Sequence, residues 1–493
     1  MIVSKSHNQF VLFPNPFDEH LDLSNRWVKF AHIIPWDKLS HFYYSKMDIK
    51  MGAGALDARV VLGAIIIKHH ENLSDEGCIE AIQENLYMQY FLGLPSFQKG
   101  KVFAPSLFVE IRKRLGLDYW QSINEIIIKH NTPTNKGNTE GGNSNNVEPG
   151  TDTEQANEGT LNIDATIVEQ DIQYPNDLGI LNESREKLEE LIDIICLKTE
   201  QEKPRTYRIN ARKKYLNVAK KKNNSHKKIR KAIGQQLNYV KRDLEHIETL
   251  LSGKMSVEGL LNKYELKYLQ VIHETYRQQR EMHSNHTHST AHRIVSIHQP
   301  HVRPMVRGKA GANVEFGCKI GVSVHNGLTY LDKLSWESYN ETEDLKTSVE
   351  NFKKRNGFYP AKINADQIYI TRNNRNWCKE RNIQLNGKPL GRPSENTKEK
   401  LKELKQGVGE RNCIEGKFGQ GKRWYGMDNI HAKLQATSES MIGAIVVVLN
   451  LIRLVQQHAF TFAKYFESII NYLICQINKS QLYFMLFFKR VNF

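Results

Sequence analysis

Apolar residues recur at helical spacing through the first 130 positions. Asp57 to His70 (DARVVLGAIIIKHH) predicts an apolar helix. Ser74-Asp75-Glu76 opens a second, SDEGCIEAIQEN, with Ser74 as N-cap and Ile79 and Ile82 on one face. LYMQYFLGL follows, then Pro105 to Leu115 (PSLFVEIRKRL), where a proline in the first turn suits a helix start. Short helices ending in Arg112, Lys113 and Arg114 fit a helix-turn-helix reader of DNA, and equally an ordinary small helical domain. Periodicity does not separate the two. Residues 1–130 are therefore expected to form an all-helical N-terminal domain. Residues 131–160 lose the pattern. They carry too few apolar side chains to offset the entropy of ordering, which predicts a flexible linker.

Beyond the linker the period changes. LNIDATIVE reads as a strand with Ile163, Ala165 and Ile167 on one face and Asp164 and Thr166 on the other. Glu183 to Leu197 reads as a helix. From Lys203 to Lys231 there are thirteen Lys or Arg residues and no acid. A run of that length favours nucleic-acid contact over a merely solvated face. Ile229, Ile233, Leu237, Val240, Leu244, Ile247 and Leu251 then repeat at spacings of three and four, an a/d seam. Its partner is either Glu183–Leu197 or Leu260–Tyr276. Glu315–Val324 and Thr329–Trp336 read as a hairpin around His325-Asn326-Gly327. Asp344–Asn356 reads as a helix, Tyr359–Asp366 as a strand, Thr371–Arg381 as a short helix and Ile383–Leu385 as a last strand. This order describes an α/β or mixed-sheet domain, residues 161–458, with a helical insertion at about 183–290 after its first strand. Residues 459–493 form a C-terminal tail rich in Phe, Tyr, Ile and Leu.

Composition adds a partner class. The net charge is +15 and the pI about 9.3, a surplus that suits a polyanion, although a basic soluble protein of another kind has the same charge. With 40% hydrophobic residues over 493 positions, two to four domains with sizeable cores are expected. The six cysteines are scattered without a CxxC pair, which argues against a zinc ribbon or a disulfide framework and fits a reducing, cytoplasmic compartment. The N-terminus has no signal-peptide pattern. Met441–Leu454 is the most apolar stretch; it is short for a bilayer and carries Asn450 and Arg453, so a buried helix is expected.

Three acids stand out by position. Asp164 sits mid-strand and Asp366 ends a strand; an acid buried there needs a cation or a metal. Two carboxylates on adjacent strands suit Mg²⁺, which prefers oxygen ligands and keeps some of its waters. Each taken alone is more commonly a turn or strand-end residue. The third, Glu415, lies in GERNCIEGKFGQGKRWYGMD, four residues after Arg411 and seven before Lys422. In a helix these three share one face: the carboxylate suits a metal, the cations a phosphate. The plainer reading is a surface i,i+4 ion pair. Gly416, Gly419 and Gly421 count against a helix there.

With these blocks assembled, the chain resembles bacterial insertion-sequence transposases of the DDE superfamily, in particular the insertion-sequence-five-like (InsH-type) group. NIDATIVEQDIQYPNDLGILNESRE is similar to the family's first-Asp block, and residues 293–324 (RIVSIHQPHVRPMVRGKAGANVEFGCKIGVSV) to its central block. INADQIY is similar to the second-Asp block, RNCIEGKFGQGKRWYGMDNIHAKL to the Glu block, and SDEGCIEAIQENLYMQYFLGL to the helical domain before the core. The resemblance implies an RNase H-like mixed-sheet core with Asp164, Asp366 and Glu415 as catalytic metal ligands. It implies Mg²⁺, with Mn²⁺ as substitute, and a pair of ions roughly 4 Å apart that activate water and then a 3′-OH for in-line attack. Implied DNA contacts are Arg411, Lys417, Lys422, Arg303, His298 and His301. Implied partners are double-stranded DNA, namely the terminal inverted repeats of the element and target DNA, and a second copy of the chain in a synaptic homodimer. A related signature has Tyr three residues before its Arg. Here that position is Val408, so that Tyr's grip on unpaired end DNA is not carried over.

Two further groups are weighed against this. His283, His286, His288, His292, His298 and His301 crowd together, but at irregular spacings with no cysteine nearby, a poor match to zinc. Trp377 and Trp424 suit stacking on bases, though core packing is the commoner use of Trp. Rival functions are an inactive relative that binds element ends without cutting, a non-transposing RNase H-like nuclease, and a basic structural DNA-binding protein.

Overall fold

The computed structural model describes residues 21–45, 56–132, 156–252, 259–306, 314–387 and 397–458, with Phe17 and Met47. Most of the expected linker (133–155) and the whole C-terminal tail lie outside the described residues. The N-terminal part is helical as expected: α1 Arg26–Ile33, α2 Trp36–Ser45, α3 Ala58–His70, α4 Asp75–Glu84, α5 Leu86–Phe91, α6 Leu107–Arg114 and α7 Leu117–Asn131. Asp57 caps α3 by accepting from the Arg59 N–H, and Ser74 caps α4 by accepting from the Gly77 N–H. Helix α6 starts later than the proline suggested, at Leu107, with Ser106 in the cap position. The basic end of α6 is committed internally. Arg112 makes a bidentate pair with Asp75 at 2.7 and 2.8 Å, Lys68 joins the same carboxylate at 3.0 Å, and Lys113 pairs with Glu110.

The sheet is mixed, with strands β1 Thr160–Glu169, β2 Arg303–Val306, β3 Val314–His325, β4 Leu328–Ser335, β5 Lys362–Ala365 and β6 Gln384–Asn386. The order is β2-β3-β1-β5-β6, with β4 also paired to β3. β1 runs antiparallel to β3 and parallel to β5, and β6 is parallel to β5. The β3–β4 hairpin turns at Asn326 and Gly327, both at positive φ, as an Asn-Gly turn requires. As the central strand, β1 is covered on both faces: Leu161, Ile163 and Ile167 are buried on one, and Asn162, Thr166 and Val168 on the other. Gly317 is obligatory, because a Cβ there would run into the Val168 carbonyl across the β1–β3 pair.

Between β1 and β2 the chain makes four helices, α8 Asp177–Thr199, α9 Arg208–Ala219, α10 His226–Leu251 and α11 Lys263–Asn285. The seam of α10 takes both candidate partners at once. Leu237, Val240, Leu244 and Ile247 bury against Leu181, Leu188, Leu191, Ile192 and Ile195 of α8 and against Ile272 of α11 in one small core. The basic run lies on α9 and the start of α10, where Lys213, Lys220, Lys221, Lys222, Lys227 and Lys228 are exposed.

After β4 come a 3-10 turn Glu341–Glu343, α12 Asp344–Asn356, β5, a second 3-10 turn Gln367–Tyr369, α13 Arg372–Glu380 and β6. Two long helices complete the described chain, α14 Thr397–Trp424 and α15 Gln435–His458. Helix α15 is long and apolar enough to cross a bilayer, yet most of it is buried in the protein. Asn450, fully buried at its centre, accepts from the Thr329 N–H at 2.7 Å and donates to the Thr329 carbonyl and to the Asn124 side chain of α7. Trp120 of α7 donates to Ser440. Helices α1–α7, strands β3 and β4, and α15 thus share one continuous core, and the N-terminal helices are not a body apart.

Candidate active site

In the β1–β5 register Ile163 lies opposite Ala365, and the next positions are Asp164 and Asp366. Adjacent parallel strands point equivalent residues to the same side, so the two carboxylates face one way. The same alternation puts Asn162 and Asn364, two residues earlier on each strand, on that face. Asn364 donates to the Asn162 side-chain oxygen at 2.9 Å and accepts from Asn386 of β6 at 2.6 Å. This ladder spans three strands beneath α14, and α14 is bonded to it: Asn364 donates to Glu410, Lys362 pairs with Glu410 at 2.8 Å, and Asn162 donates to the Cys413 sulfur. Gly407 permits the approach, since a Cβ there would stand 2.7 Å from the Asn386 amide nitrogen. The sequence carries a sign of the ladder that was not read: both Asp blocks are Asn-x-Asp, Asn162-Ile163-Asp164 and Asn364-Ala365-Asp366.

Helix α14 runs unbroken through Gly416, Gly419 and Gly421, against the expectation that the glycines would disfavour it. Docking on the sheet outweighs their intrinsic cost of roughly 1 kcal/mol each. Arg411 and Glu415 therefore lie one turn apart, over the strand ends. The Arg411 guanidinium meets all three acids: Nη1 is 3.5 Å from Asp164 and 3.6 Å from Asp366, and Nη2 is 3.1 Å from Glu415. The i,i+4 pair of the plainer reading is present, but it is one side of a four-residue cluster.

The acids differ in setting. Asp164 is 16% exposed, whereas Asp366 and Glu415 are about half exposed, at 55% and 53%. Burial pushes the Asp164 carboxyl up to about 6; the Ala165 N–H and Arg411 oppose the rise, and Asp366 and Glu341 add to it. Glu341 went unnoticed in the sequence. It pairs with Lys319 of β3 at 2.5 Å and accepts from the Tyr369 hydroxyl at 3.3 Å. Asp366 also caps the second 3-10 turn by accepting from the Gln367 N–H. Three carboxylates with hard oxygen donors suit a divalent cation. Among the described residues, however, no three acidic, His or Cys side chains stand close enough to share a metal as they are set. Their spacing is that of a guanidinium.

The other expected contacts are not gathered here. Lys417 points away from the acids, toward Arg453 and Cys413, where burial first and then Arg453 lower its ammonium to about 8. Arg303 lies on β2, bonded to Glu337 and to the Pro300 carbonyl. His301 packs edge-on against Trp336, and His298 hydrogen-bonds the Tyr268 hydroxyl. His283 and His286 meet Arg230, and His292 meets Glu337. Lys422 shares the Arg411–Glu415 face of α14. Trp424, at the end of that helix, is 60% exposed, while Trp377 packs with Tyr359 and Arg381. Val408 is exposed one turn before Arg411.

Two family models match parts of the chain. The family model described as "Transposase DDE domain" matches residues 363–452, which include Asp366, Arg411 and Glu415. A second, "Transposase domain (DUF772)", matches residues 15–114. The chain is 27% identical over 166 residues to "Uncharacterized protein ORF8 in nfe locus" of Rhizobium meliloti, a match covering 34% of this chain and 72% of that protein. No solved structure matches. The two matched domains indicate a DNA transposase, and the DDE domain family implies divalent-metal-dependent cutting and joining of DNA.

Proposed function

We propose that Asp164, Asp366 and Glu415 are the catalytic metal ligands of an RNase H-like core of the insertion-sequence-five-like group. The observation that carries this reading is the convergence of these three acids, from β1, from the end of β5 and from α14, around one cation. The metal would be Mg²⁺, with Mn²⁺ as substitute. When bound it supplies a lowered pKa for an attacking water or 3′-OH and charge stabilisation at phosphorus.

The chain's own residues do the rest. Asp164 is held by its neighbour's N–H and by the sheet, so its position is preset. Lys422 and the exposed Trp424 extend the site along α14 as a path for a DNA strand, by charge and by stacking. The exposed lysines of α9 and α10 provide a second, sequence-independent hold on the phosphate backbone. The substrates are the element's terminal inverted repeats and target DNA, engaged by a homodimer at the bacterial nucleoid.

The test is reaction of the purified chain with a duplex carrying the element's end, with Mg²⁺ or Mn²⁺. Wild type should nick the end and join its 3′-OH to target DNA. Asp164→Ala, Asp366→Ala and Glu415→Ala should each bind the duplex and do neither. Hydrolysis without joining would indicate a nuclease. Tight binding without nicking by the wild type would indicate an inactive end-binding relative.

A further inference from the structure

Arg411 is bonded unlike the forked arginines of this protein. Arg112 and Arg208 each grip one carboxylate in a bidentate fork, at 2.7–2.8 Å and 2.6–2.7 Å. Such forks are the strong form of the contact. Arg411 forms no fork. Its Nη1 is divided between Asp164 and Asp366 at 3.5 and 3.6 Å, and only Nη2 approaches Glu415 closely, at 3.1 Å. The guanidinium is centred among three acids and optimally bonded to none.

This is the geometry of a counter-ion. Three carboxylates on three separate elements would repel one another without a cation between them. A Mg²⁺–oxygen contact of roughly 2.1 Å, against the N···O distances here, means that ion and guanidinium exclude one another. We propose that Arg411 is the resident cation of the carboxylate triad and that divalent metal occupies the site only as this guanidinium withdraws. The proposal rests on the reading of Asp164, Asp366 and Glu415 as metal ligands. Two features make withdrawal feasible. Asp366 and Glu415 are half exposed, so the cluster opens to solvent on that side. The arginine is held by divided contacts, and exposed ion pairs are individually weak. An incoming phosphodiester offers the guanidinium the bidentate partner it lacks, so DNA and metal would arrive together. The arginine thus keeps the acids converged in the free protein and sets how much metal that protein holds.

The experiment measures Mn²⁺ binding to the full chain without DNA, by the paramagnetic resonance signal of free Mn²⁺. Wild type is compared with Arg411→Gln, Arg411→Lys, Lys422→Gln and Asp366→Asn, each checked for its helical circular dichroism. Arg411→Gln should bind Mn²⁺ at least about tenfold tighter than wild type, equivalent to about 1.4 kcal/mol. Arg411→Lys keeps the charge but loses the three-way reach, and should fall between. It also serves if the glutamine variant is unfolded. Lys422→Gln removes one positive charge from the same helix and should change affinity less than about twofold, the small effect expected of a screened, more distant charge. If both Arg411 variants bind no tighter than Lys422→Gln while Asp366→Asn loses binding, the counter-ion proposal is wrong and the metal-ligand reading stands. If Asp366→Asn binds like wild type, the metal-ligand reading fails and takes this proposal with it.

Discussion

The Asn364 side chain donates to the Asn162 side-chain oxygen at 2.9 Å across the β1–β5 pair, and both residues are almost fully buried. With Asn386 they form the platform on which α14 sits, and α14 brings Arg411 and Glu415 over Asp164 and Asp366. Replacing Asn364 by Leu leaves the Asn162 oxygen, the Asn386 amide and Glu410 short of a partner. A buried group left unsatisfied costs about 1–3 kcal/mol. We expect Asn364→Leu to lower the melting temperature and, more tellingly, to lower cleavage with little change in DNA affinity. Unchanged cleavage in a folded Asn364→Leu protein would show that the ladder does not position α14.

Asp243 predicts a pH dependence in the helical insertion. It is fully buried on α10, accepts no hydrogen bond among the described residues, and has the Arg242 Nε 3.9 Å away. Burial pushes its carboxyl up to about 7; Glu189 adds to the rise, and Arg242, Arg185 and Arg208 oppose it. Unfolded, the group titrates near about 3.9. Between those values the folded chain holds a proton that the unfolded chain has lost. Its contribution to stability is therefore full below the lower value and declines as pH rises through the upper one. Asp243→Asn should flatten the fall in melting temperature between pH 5 and pH 8 and be the more stable protein at pH 8. Parallel curves for the two proteins would remove Asp243 as the cause.

The basic corner where α9 meets α10 makes a salt-dependence prediction. Lys220, Lys221 and Lys222 are exposed and belong to a run without acids. If each neutralises one phosphate, the triple Ala variant should reduce the slope of log K against log salt by about 2–3. Binding should weaken to all duplexes alike. A slope equal to that of wild type would place this corner away from DNA.

Asn450 offers a stability test of the union between the N-terminal helices and the sheet. Its side chain serves Thr329 on both backbone groups and Asn124 on α7. Asn450→Leu keeps the bulk and removes all three bonds, so a loss of roughly 3 kcal/mol is expected. Because Trp120 bonds Ser440 on the same helix, tryptophan fluorescence during denaturation should report it. A transition unmoved from wild type would mean that apolar packing alone joins the two parts.

Much of this architecture was legible where it is local. The helix Asp344–Asn356, the Asn326-Gly327 hairpin and the Ser74 cap each depend on a few consecutive residues, and each stands where the pattern put it. The three acids stood out because Asp164 and Asp366 break apolar strands and Glu415 lies among cations, and the fold brings them around Arg411. What was missed is long-range. The Asn162–Asn364 bond joins residues 202 apart, and periodicity carries no signal across that distance. Arg411 read as a phosphate contact or as one half of an ion pair with Glu415, since only Glu415 is its neighbour in a helix; Asp164 and Asp366 reach it through the sheet. Arg112 looked available for DNA by its charge and Arg303 by its place in the central block, and their carboxylate partners, Asp75 and Glu337, are 37 and 34 residues away.

The same separation governs how the protein comes into being. A ribosome delivers β1 first, then the insertion helices, which find their partners among themselves, and only much later β5 and α14. Through that interval Asp164 belongs to a strand with no β5 beside it, and the carboxylate cluster cannot form. A reading frame interrupted between Asp366 and α14 yields a polypeptide with two of the three acids and no helix to gather them. In a genome where mobile elements decay by truncation, such a remnant can persist as a silent passenger, since the cluster is complete only once α14 has been made.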